Sequence, residues 1–333
     1  PKANTGTLTL NAGGSTMANY LAAVKVDPKA REVTGTSESG RFCWEPSKYK
    51  VYFAARFDRP FKGYGTWKGA TLSPGSKQAS DESPDAFNYK PVAGGPPFIP
   101  GNPSTTAQAG AFVSFNTSGS RPVGMRVGIS FVSVAQARKN LSESAGLTFG
   151  EVRDRAGQIW RQEMGKVRVS GGRKEDRRTF ATALYHSLLE PSVQSDVNGL
   201  YRGQDLKVHR VAPGHAHYSD ISGWDVYRSQ IQLLAMIEPR RAADIAASLL
   251  RMEKQGGCLP RWPYATQNSN VMNGDPSSPI IATIHALGVR GFDARDALRA
   301  MVKGADHPCH SDNADYTERE ALDDYLDLGW ISQ

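Results

Sequence analysis

The sequence predicts a multidomain β + α chain, an antiparallel β-sandwich followed by an α/α toroid. Three observations carry this expectation. Short runs of branched and aromatic residues with turn signals between them fill residues 1–133. Beyond Gly171-Gly172 the apolar residues recur at helical spacing. The stretches between those helical runs are rich in Trp, His, Asn and Asp, and helices joined by such loops suggest a toroid with its site at the loop end.

Taken in order, Thr7–Leu10 and Ala22–Val26 are short strands punctuated by Asn and Gly, and Arg31–Ser37 continues the meander. Lys50–Phe57 is rich in aromatic and branched residues and ends before Pro60. Ala111–Asn116 and Arg126–Phe131 supply two more strands. Residues 69–110 are dense in Pro, Gly, Ser and Ala and read as one long loop, either functional or a solvated insertion. Val134–Ser144 and Glu151–Met164 read as helices, giving a helical linker over 134–172. In 173–333, Phe180, Leu184 and Leu188 share one helix face, as do Ile245, Leu249 and Met252. Asp293 can cap a helix carrying Ala297, Leu298 and Met301, and Thr317–Glu320 matches a capping box.

Composition narrows the function. Apolar residues make up 39% of the chain and charged residues 22%, and no apolar run is long enough for a transmembrane helix. Nothing at Pro1 resembles a signal peptide. The net charge of +7 is scattered. Its one cluster, at Arg173, Lys174, Arg177 and Arg178, encloses Glu175 and Asp176, which reads as a solvated helix face and argues against nucleic acid as a partner. Cys43, Cys258 and Cys309 lack metal-ligand spacing; one disulfide is possible, and the sequence does not choose the pair.

Three loops concentrate the chemistry: Gly214–Asp225, Gln255–Pro263 and Gln267–Asp275. Each sets flat aromatic rings beside short polar side chains. A pyranose needs that combination, because its apolar face stacks on Trp while its hydroxyls pair with Asp, Asn, His and Arg. Asp225 and Asp275 can each hold two vicinal hydroxyls or a hard cation such as calcium. Plainer readings stand beside these. Asp225 can favour the start of the helix through Ile231, Leu234 and Ile237, while Trp224 and Trp262 can be core residues. His215 and His217 can be satisfied loop histidines, and the Asn cluster can form turns. No GxSxG elbow, GxGxxG or P-loop occurs. Of the carboxylates in the loops, Asp220, Asp225 and Asp275, none reads as an acid held in an apolar pocket.

At these loops the sequence resembles family 92 of the glycoside hydrolases, the calcium-dependent α-mannosidases. Ser222–Arg228 resembles the family's WDxYR segment, Gln255–Pro263 its QGGxLPxWP, and Asn270–Asp275 its NxMxGD. Ala183–Ser187, Val197–Gly203, Gly40–Cys43 and Val51–Phe57 are similar to it too, so the likeness covers nearly the whole chain. The resemblance implies an N-terminal β-sandwich, incomplete at its start, and the first part of an (α/α)6 catalytic domain over 173–333. It implies exo-acting hydrolysis of α-linked mannose with inversion, calcium as cofactor, a mannose-containing glycan or mannoside as partner, and a secreted or cell-envelope location. α-1,2 is one candidate linkage. Trp224 and Asp225 then belong to the mannose subsite, with Arg228, Trp262, Asn270 and Asp275 as further substrate-binding candidates and His215 and His217 as pocket-lining ones. The family's segments carrying the general acid Glu and general base Asp do not occur in this sequence, so both are expected beyond Gln333, with the rest of the enzyme as another chain or further sequence. The alternatives are a non-catalytic mannose-binding or scaffold fragment and another (α/α)6 carbohydrate enzyme, such as a phosphorylase or trehalase.

Overall fold

The computed structural model describes residues 4–14, 18–45, 47–84, 106–119, 122–311 and 316–332, in two units, 1–146 and 147–333. Alternating apolar residues build the first unit. Its strands are β1 (Thr5–Asn11), β2 (Ala18–Asp27), β3 (Glu32–Gly40), β4 (Lys48–Phe57), β5 (Gly63–Lys68), β6 (Thr71–Pro74), β7 (Gln78–Glu82), β8 (Ala109–Asn116) and β9 (Met125–Ser130). One sheet runs β1-β8-β5-β6 and the other β7-β2-β3-β4-β9, and every neighbouring pair is antiparallel. Every second residue of β8 faces inward. Ala109, Ala111, Val113 and Phe115 share one core with Ala22, Val24, Val26, Val33, Ala55 and Phe57 of the other sheet. Burial of a Val or Phe side chain contributes about 1.5–3 kcal/mol, so this period-two pattern sets the register. Helix α1 (Val134–Asn140) belongs to this unit, with Ala137 fully buried and Arg138 paired to the buried Glu32 at 2.8 Å.

The sequence expectation of one loop over 69–110 needs correction. β6 and β7 lie inside it, and β8 begins at Ala109. The reason is physical. β6 is exposed along its whole length and β7 at alternate positions, so neither carries the apolar alternation that marks a half-buried strand. Residues 85–105 of that stretch lie outside the described residues.

Helical periodicity builds the second unit: α2 (Phe149–Met164), α3 (Lys174–Ser187), α4 (Gly223–Val226), α5 (Gln230–Ile237), α6 (Pro239–Gly256), α7 (Ser277–Ala286), α8 (Ala294–Asp306) and α9 (Leu322–Leu328). Ile231 and Leu234 of α5 share a core with Ile245, Leu249 and Met252 of α6, Ile280 and Ile284 of α7, and Ala297 and Ala300 of α8. Met236, Leu298 and Val302 remain exposed on the outer faces of this group. Asp293 caps α8 as expected, accepting from Arg295 N at 2.9 Å and Asp296 N at 3.0 Å. The capping box expected at Thr317 is not formed. Thr317 ends a short hairpin, its Oγ1 bonded to His310 Nδ1 at 2.9 Å, and α9 starts only at Leu322. The carboxyl needed for the box, that of Glu320, lies 3.5 Å from Arg261 instead. A capping box does form at Thr148 and Glu151, ahead of α2. Among the described residues no helix is long and apolar enough to cross a membrane.

Candidate functional site

The segment Gly223-Trp224-Asp225-Val226 is the single turn α4. Gly223 is buried against the other two loops. A Cβ there would lie 2.3 Å from Pro276 Cγ and 2.6 Å from Arg261 O, so only glycine lets the turn sit this close. Ile221 N donates to Pro263 O at 3.2 Å, tying the approach to α4 to the second loop. The two residues after Gly223 face outward: Trp224 is 50% exposed, and Asp225 is exposed. Ser222 Oγ donates to Asp225 Oδ2. Asp225 also stands in the first turn of α4, where a carboxylate suits the free amides. Arg228 is exposed, and its Nε donates to Tyr227 Oη.

Arg261 is the hub beneath these loops. It is 3% exposed, yet every arm of its guanidinium is engaged. Nε donates to Gly274 O at 2.8 Å, and Nη1 donates to Asn270 Oδ1 and Met272 O at 3.2 Å each. Nη2 donates to Thr317 O and Glu318 O, both at 3.2 Å. Asn270, Met272 and Gly274 have φ of 49°, 70° and 78°. Left-handed backbone at non-glycine residues costs about 1–3 kcal/mol each. Here that conformation accompanies a set of acceptors that converge on one cation.

Asp275 follows directly. Its Oδ2 accepts from Arg319 Nε at 3.1 Å and Nη2 at 2.5 Å, and Ser278 Oγ lies 3.1 Å from Oδ2 and 3.3 Å from Oδ1. This carboxylate is held by an ion pair, whereas Asp225 keeps Oδ1 open. Trp262 is half-buried, its backbone N–H donating to Asn268 Oδ1 at 3.1 Å. The structure therefore brings the three loops together: α4 packs on Arg261 and Pro276, and Arg261 grips the Asn270–Gly274 bend.

The glycosyl hydrolase family 92 catalytic domain matches residues 136–333, and the family's N-terminal domain matches residues 1–130. The chain belongs to glycoside hydrolase family 92. A family 92 inverting mannosidase of Bacteroides thetaiotaomicron superposes over 99% of this chain with a TM-score of 0.81 at 22% identity. An α-mannosidase of the same family and organism, in complex with mannoimidazole, gives 0.81 at 24% identity over 99% of this chain. The chain spans 41% and 40% of those two enzymes' lengths. A protein of Arthroderma benhamiae described as an "uncharacterized secreted glycosidase" is 30% identical over 105 residues, 29% of this chain and 14% of that relative.

Within this family 92 chain the two histidines have separate structural partners. His215 Nδ1 bonds Asp244 Oδ1 on α6 at 2.6 Å. His217 is buried and stacks on Tyr201 with centroids 3.9 Å apart. Burial, with the Arg251 charge second, holds its pKa well below the usual imidazole range. A calcium ion takes six to eight oxygens. Asp275 is taken by Arg319, the Met272 and Gly274 carbonyls by Arg261, and among the described residues no three carboxylates converge.

Sequence reasoning passed over Arg261 and Asp220 as supports. Arg261 carried a signal: it is the one charge in Cys258-Leu259-Pro260-Arg261-Trp262-Pro263, and a cation in an apolar loop needs buried acceptors. Asp220, at φ 55°, accepts from Ala265 N at 2.9 Å, and burial raises its carboxyl pKa. Nothing in its spacing foretold that role.

Proposed function

We propose that this chain is the sugar-gripping part of an exo-acting α-mannosidase that hydrolyses terminal α-linked mannose with inversion. The observation that carries the reading is the outward-facing Trp224–Asp225 pair, mounted on a turn that Gly223 locks against the Arg261 hub. An indole face and a carboxylate on one rigid turn suit a pyranose, with stacking from one and bidentate hydroxyl binding from the other. Family membership and two solved neighbours named as mannosidases support mannose as the sugar.

Arg228, Trp262 and Asn270 are the further sugar-binding residues of this proposal, and Asp275, ion-paired with Arg319, supports the loop that carries Asn270. In an inverting reaction one carboxylic acid protonates the leaving oxygen while a carboxylate activates water on the opposite face. The proposal places both groups outside residues 1–333, because Asp275 is ion-paired and Asp225 sits where the hydroxyls are held. Calcium belongs to the proposal as an ion bound with the sugar near Asp225, its other ligands supplied by the remaining part of the enzyme. The exposed Met236, Leu298 and Val302 faces support such a covering partner. Secretion is part of the reading, supported by the Cys258–Cys309 disulfide and by the relative described as secreted.

The experiment is hydrolysis of an aryl α-mannoside by the full-length enzyme, followed by proton NMR of the first product formed. The proposal expects β-mannose as the first anomer, with activity lost in chelator and restored by calcium. Release of α-mannose, or cleavage of glucosides in preference to mannosides, overturns it. A mannose-binding protein without catalysis is the second reading, favoured by the engagement of Asp275, and is upheld if mannose binds and no mannoside is cleaved.

A further inference from the structure

Among the described residues the helical unit holds one group of metal-ligating side chains, Cys258, Cys309 and Glu318, with ligand atoms within 4.8 Å of one another. The cysteines are joined as a disulfide, their Cα atoms 5.8 Å apart. Glu318 is 2% exposed; its Oε2 accepts from Leu259 N at 3.0 Å, while Oε1 has no hydrogen-bond partner. A buried carboxyl oxygen with nothing to bind is costly and calls for an explanation. The nearby cations are committed elsewhere: Lys303 to Glu253 at 3.0 Å, and Arg319 to Asp275. Burial, with the Asp275 charge second, pushes the Glu318 pKa up to about 7. The space beside Oε1 depends on Gly304 of α8, where a Cβ would fall 2.1 Å from that oxygen.

We propose that reduction of Cys258–Cys309 turns this group into a zinc site, with the two thiolates and Glu318 as protein ligands and water as the fourth. The reductant is a dithiol. It gives two electrons and two protons, the S–S bond breaks, two thiols form, and the reductant becomes a disulfide. Zinc then displaces both thiol protons, and any proton on Glu318, to water. Two thiolates about 2.3 Å from a tetrahedral ion stand roughly 3.8 Å apart, a separation that side-chain rotation reaches from these Cα positions. Soft thiolates select zinc over calcium or magnesium. Two thiolates and a carboxylate carry one negative charge more than zinc neutralises; Lys303 and Arg319, although paired with Glu253 and Asp275, are the cations whose field reaches Glu318. Lys303 Nζ donates to Gly257 O at 2.5 Å, and Cys309 Sγ lies 3.1 Å from the same oxygen. The site spans two segments that Arg261 also joins, so zinc would tie them under reducing conditions as the disulfide ties them under oxidising ones.

The test uses the full chain with Cys43→Ser, which removes the exposed free thiol. The protein is reduced with a phosphine, cleared of it without air, and titrated with Co2+. The proposal expects one cobalt per chain, a thiolate-to-cobalt charge-transfer band that appears only after reduction, and displacement of that band by Zn2+. Cys309→Ser in the same background should lose the band. Glu318→Gln should bind cobalt at least about tenfold more weakly while its oxidised form keeps the parent near-ultraviolet circular dichroism. The inference is overturned if the reduced parent binds no cobalt, if the oxidised parent gives the same band, or if Glu318→Gln binds as the parent does. Loss of the near-ultraviolet signal on reduction that cobalt does not restore overturns it too.

Discussion

In the sandwich, Val113 and Phe115 meet Val24, Val33 and Phe57 across two sheets, and many interchangeable apolar contacts share the burden. In the loop cluster of the helical unit, five oxygens converge on the guanidinium of Arg261. The first arrangement degrades gradually when trimmed. The second depends on a single donor fork, and its removal takes the shared partner from five acceptors at once, the buried Glu318 carbonyl among them. Such a cluster suits a binding turn that must stay in place, and makes its supports the most sensitive positions in the chain.

The largest effect should come from Arg261→Met. It removes the common donor of five acceptors from a buried position, and we expect a loss of about 4 kcal/mol in urea unfolding. Arg56→Met in the sandwich removes a half-exposed partner of Glu32 that Arg138 also holds, and should cost under about 1 kcal/mol. Equal losses would break the comparison.

Glu318 sharpens it through pH. Its folded pKa of about 7 lies above the ordinary glutamate value, so between those two pH values the folded state binds the extra proton. Stability from this group is therefore present at pH 4.5 and falls as pH rises through 7, by up to about 3 kcal/mol. Unfolding curves at pH 5 and pH 8 should show that slope in the wild type and a flatter one in Glu318→Gln. A steeper slope in the variant would contradict the assignment.

Gly223→Ala comes next. Its methyl meets Pro276 and the Arg261 carbonyl, and overpacking of this kind costs about 1–3 kcal/mol, read as a lower melting temperature together with weaker mannose binding. The smallest effect belongs to Arg173→Ala, an exposed residue paired with Asp176, where the melting temperature should not move measurably.

Legibility in the sequence followed the same division. β8 and α6 were readable because burial imposes a period on their apolar residues, and Asp293 was readable because capping is a local interaction. β6 and β7 were not, since exposed strands carry no such period. At the site, Trp224 and Asp225 stood out by type, and the structure sets them outward on one turn. Asp275 looked equivalent to Asp225 in sequence, but Arg319, 44 residues away, claims its carboxylate. Thr317 and Glu320 matched a local motif that a hairpin partner, His310, and the Arg261 hub outcompeted. Spacing reports what neighbours in sequence can do and is silent on partners that arrive from elsewhere.

The most direct measurement is kcat/KM of Asp225→Ala on an α-mannoside in the full-length enzyme, with the melting temperature recorded alongside. Each lost charged hydrogen bond to a sugar hydroxyl is worth about 1.5–3 kcal/mol, so the loss of two implies a fall of at least about a hundredfold. That fall is expected with the melting temperature unchanged, because the Asp225 side chain is exposed and among the described residues bonds only Ser222. Near-normal turnover, or a fall explained by unfolding, would contradict it.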